Sequence, residues 1–257
     1  MAFRASHPRH NRPYAESSRG KLTEKRGVDT LEREEKQYRQ ARARMVRRQL
    51  MRRGITDERV LAVMGKVPRH LFVPESLRHL AYDDGPLAIG AGQTISQPYI
   101  VALMTQLLQP SASDRVLEIG VGSGYQTAIL AELVKEVIGM ERIPELAEQA
   151  RQRLAKLGYQ NVTVIVGDGS QGYPPRAPYN GILAAAAAPD IPEPLLMQLA
   201  EDGRLVIPIG RGYQQVIVRA WRRPEGVQIE RLTPVRFVPM IGKWAFDIGE
   251  DDFPDYV

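Results

Sequence analysis

Val116-Leu117-Glu118-Ile119-Gly120-Val121-Gly122-Ser123-Gly124 is the stretch that decides how this chain folds. An apolar run meets an acid and then three glycines at alternate positions, and Tyr125 to Leu133 follows with helical composition. A strand, a glycine-rich turn and a helix in that order form a nucleotide-cofactor site. Glycines let the backbone pass close to a ligand, and the first turn of the helix presents unpaired N–H groups and positive potential.

The spacing bears on which cofactor. A dinucleotide fingerprint counted from Gly120 needs a third glycine at position 125, where the chain has Tyr125. The turn is G-x-G-x-G, and Glu118 stands two residues ahead of it. A carboxylate there suits a cationic amino group better than a pyrophosphate. Glu141 ends a second apolar run twenty-one residues after Gly120, placed to accept from ribose hydroxyls. A cofactor with an amino acid end and an adenosine end fits both acids, and S-adenosylmethionine is one.

Outward from the turn, apolar runs and helical stretches alternate. Strands are expected near 115–119, 137–141, 162–166, 180–185, 204–208 and 215–220, with a further one over 228–237. Helices are expected near 125–134, 144–157 and 192–200. That alternation predicts an α/β fold, a doubly wound, mostly parallel Rossmann-like sheet with helices on both faces. Upstream lies an N-terminal helical extension. A helix from about Leu31 to Arg53 is closed by Gly54, a second starts at Thr56-Asp57-Glu58, and a third covers Ile100 to Leu108. Gly85 to Gln97 reads as a loop.

The 257 residues suffice for one large domain with extensions. There is no cysteine, so disulfides and thiolate metal sites are excluded, in keeping with a reducing compartment. The longest wholly apolar stretch, Ile182 to Ala188, is too short to span a bilayer, and a soluble cytoplasmic protein is expected. Charge is uneven. Residues 1–53 carry 16 Lys/Arg against 6 Asp/Glu, while the remainder carries 19 against 24. Residues 1–40 read as a basic, disordered or partly helical extension, and 243–257 as an acidic tail. The basic arm points to nucleic acid only weakly, because Phe3, Tyr14 and Tyr38 are its only aromatics. All four histidines precede the glycine turn, which disfavours a Ser-His-Asp hydrolase, and no zinc or phosphate-loop motif occurs, so no metal is expected.

Two further stretches carry polar chemistry. Val166-Gly167-Asp168-Gly169 ends the third strand, where an acid is placed to accept from an adenine amino group. Gly92-Gln93-Thr94-Ile95-Ser96-Gln97-Pro98-Tyr99 precedes a helix, and by position alone Ser96 or Gln97 reads as its cap.

With these motifs the chain resembles the protein-L-isoaspartate O-methyltransferases over about residues 41–242. The Gly92–Tyr99 stretch is similar to the family's signature, Val116 to Gln126 to its first cofactor motif, and Val166-Gly167-Asp168-Gly169 with Gly172-Tyr173 to its second. Ala177-Pro178-Tyr179, Ala186-Ala187-Ala188-Pro189, Gly203 to Pro208 and Val235 to Pro239 continue the likeness. The resemblance implies a class I S-adenosylmethionine-dependent methyltransferase that methylates the α-carboxyl of L-isoaspartyl residues in damaged proteins and peptides, a repair activity. It implies that Ser96 is the catalytic serine and that Ile95, Ser96 and Gln97 meet the cofactor. Glu118, Gly120, Gly122 and Gly124 would form the methionine-binding turn. Glu141 and Arg142 would sit at the ribose, and Asp168 and Gly169 at the adenine. A carboxylate acceptor is already ionised at neutral pH and needs no general base, which agrees with the absence of histidine from 80–257. The chain departs from the family at Asn180-Gly181, where Asp-Ala is usual, which puts the shape of the pocket in question. The competing readings are a same-fold methyltransferase acting on ordinary aspartate of a dedicated peptide, a nicotinamide-dependent oxidoreductase and a nucleic-acid-binding protein.

Overall fold

Val116, Leu117 and Ile119 are buried because β3 (Arg115–Ile119) runs through the middle of a seven-stranded sheet. The computed structural model describes Met1 and residues 32–247. The expected disorder of residues 1–30, Met1 apart, and most of the expected acidic tail lie outside that range. The chain divides into two compact units, Met1–Gln40 and Ala41–Val257.

Beside β3 lie β4 (Glu136–Glu141), β5 (Val162–Val166), β6 (Tyr179–Ala184) and β7 (Leu199–Arg211), followed by β8 (Gln214–Arg223) and β9 (Gly226–Val235). Their spatial order is β5-β4-β3-β6-β7-β8-β9, the first five parallel and the last two antiparallel. Helices cover the parallel part, which is why its central strands read as unbroken apolar runs. Helix α4 (Tyr125–Ala131) follows the glycine turn and is buried throughout, and Leu146, Ala147, Ala150 and Leu154 of α5 (Pro144–Lys156) are buried at helical spacing. The chain builds outward from β3 to β5 and then returns to place β6 on the other flank of β3. This reversal opens a crevice at the carboxyl ends of the strands, where ligands bind in such sheets.

Before the sheet, residues 32–45 form an α-helix, α1. The single helix expected through Arg53 does not persist. A π-turn spans Val46–Leu50 and a 3₁₀ turn Met51–Arg53, and left-handed Gly54 closes the run at φ 90°. In a π-turn the i→i+5 bond, here from Met51 N–H to the Val46 carbonyl, widens the coil, and Met45 and Leu50 both reach the core. Asp57 caps α2 (Glu58–Lys66) by accepting from the N–H groups of Arg59 and Val60. Pro98 opens α3 (Pro98–Leu108).

Three other expectations are corrected. Residues 85–97 are not merely a loop, because β1 (Leu87–Gly90) pairs antiparallel with β2 (Gln93–Ile95) around a turn in which Gly90, Ala91 and Gly92 all have positive φ. The helix expected over 192–200 is only α6 (Glu193–Met197), since Leu199 already pairs with Tyr179 in the sheet. Packing also continues past 242, where the tail was expected to begin. Ile241 bridges Phe246, whose side chain is 1% exposed. Among the described residues no helix is long and apolar enough to cross a membrane.

Candidate active site

A cavity of about 270 Å³ opens at the carboxyl ends of β3, β4, β5 and β6. The turn after β3 forms part of its wall. Gly120 and Gly122 hold φ at 83° and 53°, left-handed values that side chains resist, and a Cβ at 122 would lie 3.2 Å from the Ile89 side chain. Glu141, 6% exposed at the end of β4, holds this turn in register. Its Oε2 accepts from the Gly122 N–H at 2.8 Å and its Oε1 from the Ile143 N–H at 2.9 Å. A carboxylate offers about four acceptor positions, so further hydroxyls still find room. Arg142 and Ile143 line the wall beside it, and Gly169 lines it after β5. Gly124, by contrast, lies behind the turn against Ala150 and Leu154, where it lets α5 pack close.

Glu118 is 0% exposed and does not line the cavity. β3 turns Leu117 and Ile119 one way and Glu118 the other. Neither of its carboxylate oxygens has a hydrogen-bond partner. Burial pushes the carboxyl up to about 8, the nearby Thr127 hydroxyl draws it down a little, and the Glu141 charge adds to the rise.

Asp168 likewise stands off the cavity. Its Oδ1 accepts from the Ser170 N–H and hydroxyl at 2.9 and 2.6 Å, and its Oδ2 from Gln171 Nε2 and the Lys243 N–H at 3.0 and 2.9 Å. Burial raises this carboxyl, but these bonds outweigh it and hold it below the usual carboxylate range. All four acceptor positions are filled by protein, and the carboxylate fastens Lys243 to the end of β5. A Cβ on Gly242 would run into it.

Ser96 follows β2 and faces the cavity with Ile95. The helix behind it has no side-chain cap, so capping does not account for Ser96. Gln97 instead binds Asp84 through its Nε2 at 2.8 Å and lines a second cavity, of about 300 Å³. Thr94, Ser96, Ala185, Phe237 and Val238 line both cavities, so Ser96 stands in the wall they share. Asn180 and Gly181 lie away from both. Asn180 accepts from the Arg115 N–H at 2.9 Å, and Gly181 lies against Leu108 of α3, so the departure at these positions leaves the cavities alone.

One wall was not marked as a site by its sequence. Phe237 to Ile241 face the first cavity together with Ala185 and Ala186. The Ala187 N–H donates to Val238 and the Met240 N–H to Ala187, while the Gln215 side chain brackets Phe237 by bonding both its N–H and its carbonyl. Partners about fifty residues apart leave no local periodicity to read. For Ala185 the available signal was topological, its place just after the strand that borders the reversal.

Residues 40–245 match the family model described as "Protein-L-isoaspartate(D-aspartate) O-methyltransferase (PCMT)". The chain is 54% identical over 208 residues to a protein-L-isoaspartate O-methyltransferase of Methanoculleus marisnigri, covering 81% of this chain and 94% of that one. It is 57% identical over 206 residues to the Methanoregula boonei enzyme of the same name, covering 80% and 95%. Among solved structures, a protein-L-isoaspartate O-methyltransferase of Plasmodium falciparum in complex with S-adenosyl-L-homocysteine is similar at a TM-score of 0.68 and 29% identity, covering 78% of this chain and 98% of that one.

Proposed function

Because the chain belongs to the protein-L-isoaspartate O-methyltransferase family, we propose that its two cavities hold the two reactants of methyl transfer to an isoaspartyl α-carboxyl, with Ser96 between them. S-adenosylmethionine, when bound, supplies a methyl group activated by its sulfonium. The residues of the first cavity fit it. Glu141 is disposed to accept from ribose hydroxyls, the Gly120–Gly122 turn lets a ligand lie against the backbone, and buried Glu118 would give up its proton to face a cationic amino acid end. Gly169 borders the adenine end, and Ile95 and Phe237 keep water from the walls.

The observation that carries this reading is the place of Ser96, which lines both cavities and caps no helix. Its hydroxyl holds the substrate carboxylate and turns one oxygen toward the first cavity. No proton has to be removed from an ionised carboxylate, so the work of this chain is alignment and exclusion of water. The partners are proteins and peptides that contain isoaspartyl residues, and the site of action is the cytoplasm.

A matched pair of peptides, one isoaspartyl and one aspartyl, tests the function with labelled S-adenosylmethionine. Transfer to the isoaspartyl peptide alone is expected. Equal transfer to the aspartyl peptide would favour an ordinary aspartyl methyltransferase, and transfer to neither would overturn the reading.

A further inference from the structure

Asn180 and Gly181 form the only asparagine–glycine pair in the chain. The chemistry of such a pair is intramolecular. The glycine nitrogen, with no side chain on its own Cα to hinder it, attacks the asparagine Cγ. The N–Cγ bond forms, the Cγ–Nδ2 bond breaks, and Nδ2 leaves as ammonia with the proton from the glycine N–H. Water then opens the cyclic imide. Addition at Cγ restores the ordinary peptide bond and leaves an aspartate. Addition at the backbone carbonyl carbon leaves an isoaspartyl link with a free α-carboxyl.

In the folded protein β6 blocks the first step. Asn180 is exposed, but Gly181 is buried in the middle of the sheet, between Val116 of β3 and Arg204 of β7. Buried backbone N–H groups are paired in such a ladder and are not free to attack. The Asn180 Oδ1 is held as well, since it accepts from the Arg115 N–H at 2.9 Å. The two products differ in what they do to the sheet. An aspartate at position 180 keeps an acceptor for the Arg115 N–H and keeps the length of the strand. An isoaspartyl link there adds a carbon to the main chain just ahead of buried Gly181, Ile182, Leu183 and Ala184. Their register against Val116 to Ile119 is then lost.

We propose that Asn180-Gly181 makes this chain a substrate for intact copies of itself once β6 has opened. The proposal rests on the isoaspartyl reading of the active site. A chain whose sheet has come apart acquires the isoaspartyl link, cannot reseat β6, and so presents the link in accessible form to the second cavity of an intact copy.

The test ages the full chain at mildly alkaline pH, in buffer and in urea. Each sample is returned to buffer and offered to fresh enzyme with labelled S-adenosylmethionine. Digestion after arginine and glutamate at mildly acid pH, which preserves methyl esters and spares Glu193 before Pro194, frees residues 177–201. Asn180 is the only asparagine in that peptide, and no aspartate in it precedes a glycine. Conversion of its amide to acid should run at least about a hundredfold faster in urea, because a central strand opens only with most of the fold. Label should follow onto the peptide, and the isoaspartyl form should collect in the chains that fail to refold. Asn180→Gln, whose longer side chain does not close the five-membered ring, should leave this peptide unlabelled after ageing in urea, a result that does not depend on how the variant folds. A synthetic isoaspartyl peptide runs alongside. Its methylation without label on residues 177–201, label that persists in Asn180→Gln, or conversion as fast in buffer as in urea would overturn the proposal while leaving the methyl transfer intact. Transfer to neither would overturn the underlying function and this proposal with it.

Discussion

The two cavities that meet at Ser96 are built from different materials. The first has Glu141 in its wall and Glu118 sealed beneath, and its shape comes from backbone, a glycine turn at the carboxyl ends of parallel strands. The second has Arg53 and Arg236 at its rim and is shaped by side chains from a helical turn and from the segment after the last antiparallel strand. Buried acids are screened little and exposed arginines much, so the two sides should respond differently to pH, salt and substitution.

The largest effect is expected at Glu118. Its carboxyl titrates near 4.5 in an unfolded chain and at about 8 in the folded protein, so folding holds the proton. The stability this group contributes is complete below the unfolded value and is lost as pH rises through about 8, a span worth on the order of several kcal/mol. Glu118→Gln cannot ionise and should flatten that decline in the empty protein, as read by urea unfolding between mildly acid and mildly alkaline pH. The same variant should bind S-adenosylhomocysteine more weakly. An unchanged pH slope would show that burial does not hold a proton on Glu118 in the empty protein.

Ser96→Ala comes next. A hydrogen bond to a charged group contributes about 1.5–3 kcal/mol, so single-turnover methyl transfer should slow roughly tenfold to a hundredfold, with cofactor affinity little altered. Normal transfer by a folded variant would separate the two cavities functionally. Asp168→Asn places an amide among donors that need an acceptor, and should cost about 1–3 kcal/mol in unfolding experiments. S-adenosylhomocysteine should bind more weakly only in so far as residues 241–244 loosen, which hydrogen exchange of the Lys243 and Trp244 amides would register. A large loss of binding with full amide protection would return Asp168 to direct cofactor contact. The smallest effect is expected of Asn180→Asp. The carboxylate can still accept from the Arg115 N–H, and both stability and transfer should stay within about 0.5 kcal/mol of the parent.

The first cavity was the more legible in the sequence, for a physical reason. Parallel strands buried on both faces leave apolar runs, and turns that hug a ligand require glycine, so Gly120, Gly122 and Glu141 marked themselves. The residue type at Asp168 was equally visible, but its bond from the Lys243 N–H was not, because the two lie 75 residues apart. Glu118 pointed to an acid at the turn without revealing that burial seals its side chain from the cavity and holds its proton. The β1–β2 hairpin escaped because its strands have only four and three residues around a turn that includes positive-φ Ala91. Nothing in either sequence neighbourhood could bring Arg53 and Arg236 to one cavity, since only the folded chain makes them neighbours.

The fastening of Gly242 to Trp244 onto Asp168 and Ser170 also sets an order in time. A chain is made from its amino end. The glycine turn, the acid of β4 and the loop after β5 are complete long before Ile241 emerges, yet Ile241 and the residues just ahead of it form a wall of the cofactor cavity. While that wall is unmade, the groove at the strand ends stays open to water on that side. Synthesis therefore delivers the strand ends before the wall that closes them, and the cofactor cavity is whole only once Ile241 is in place.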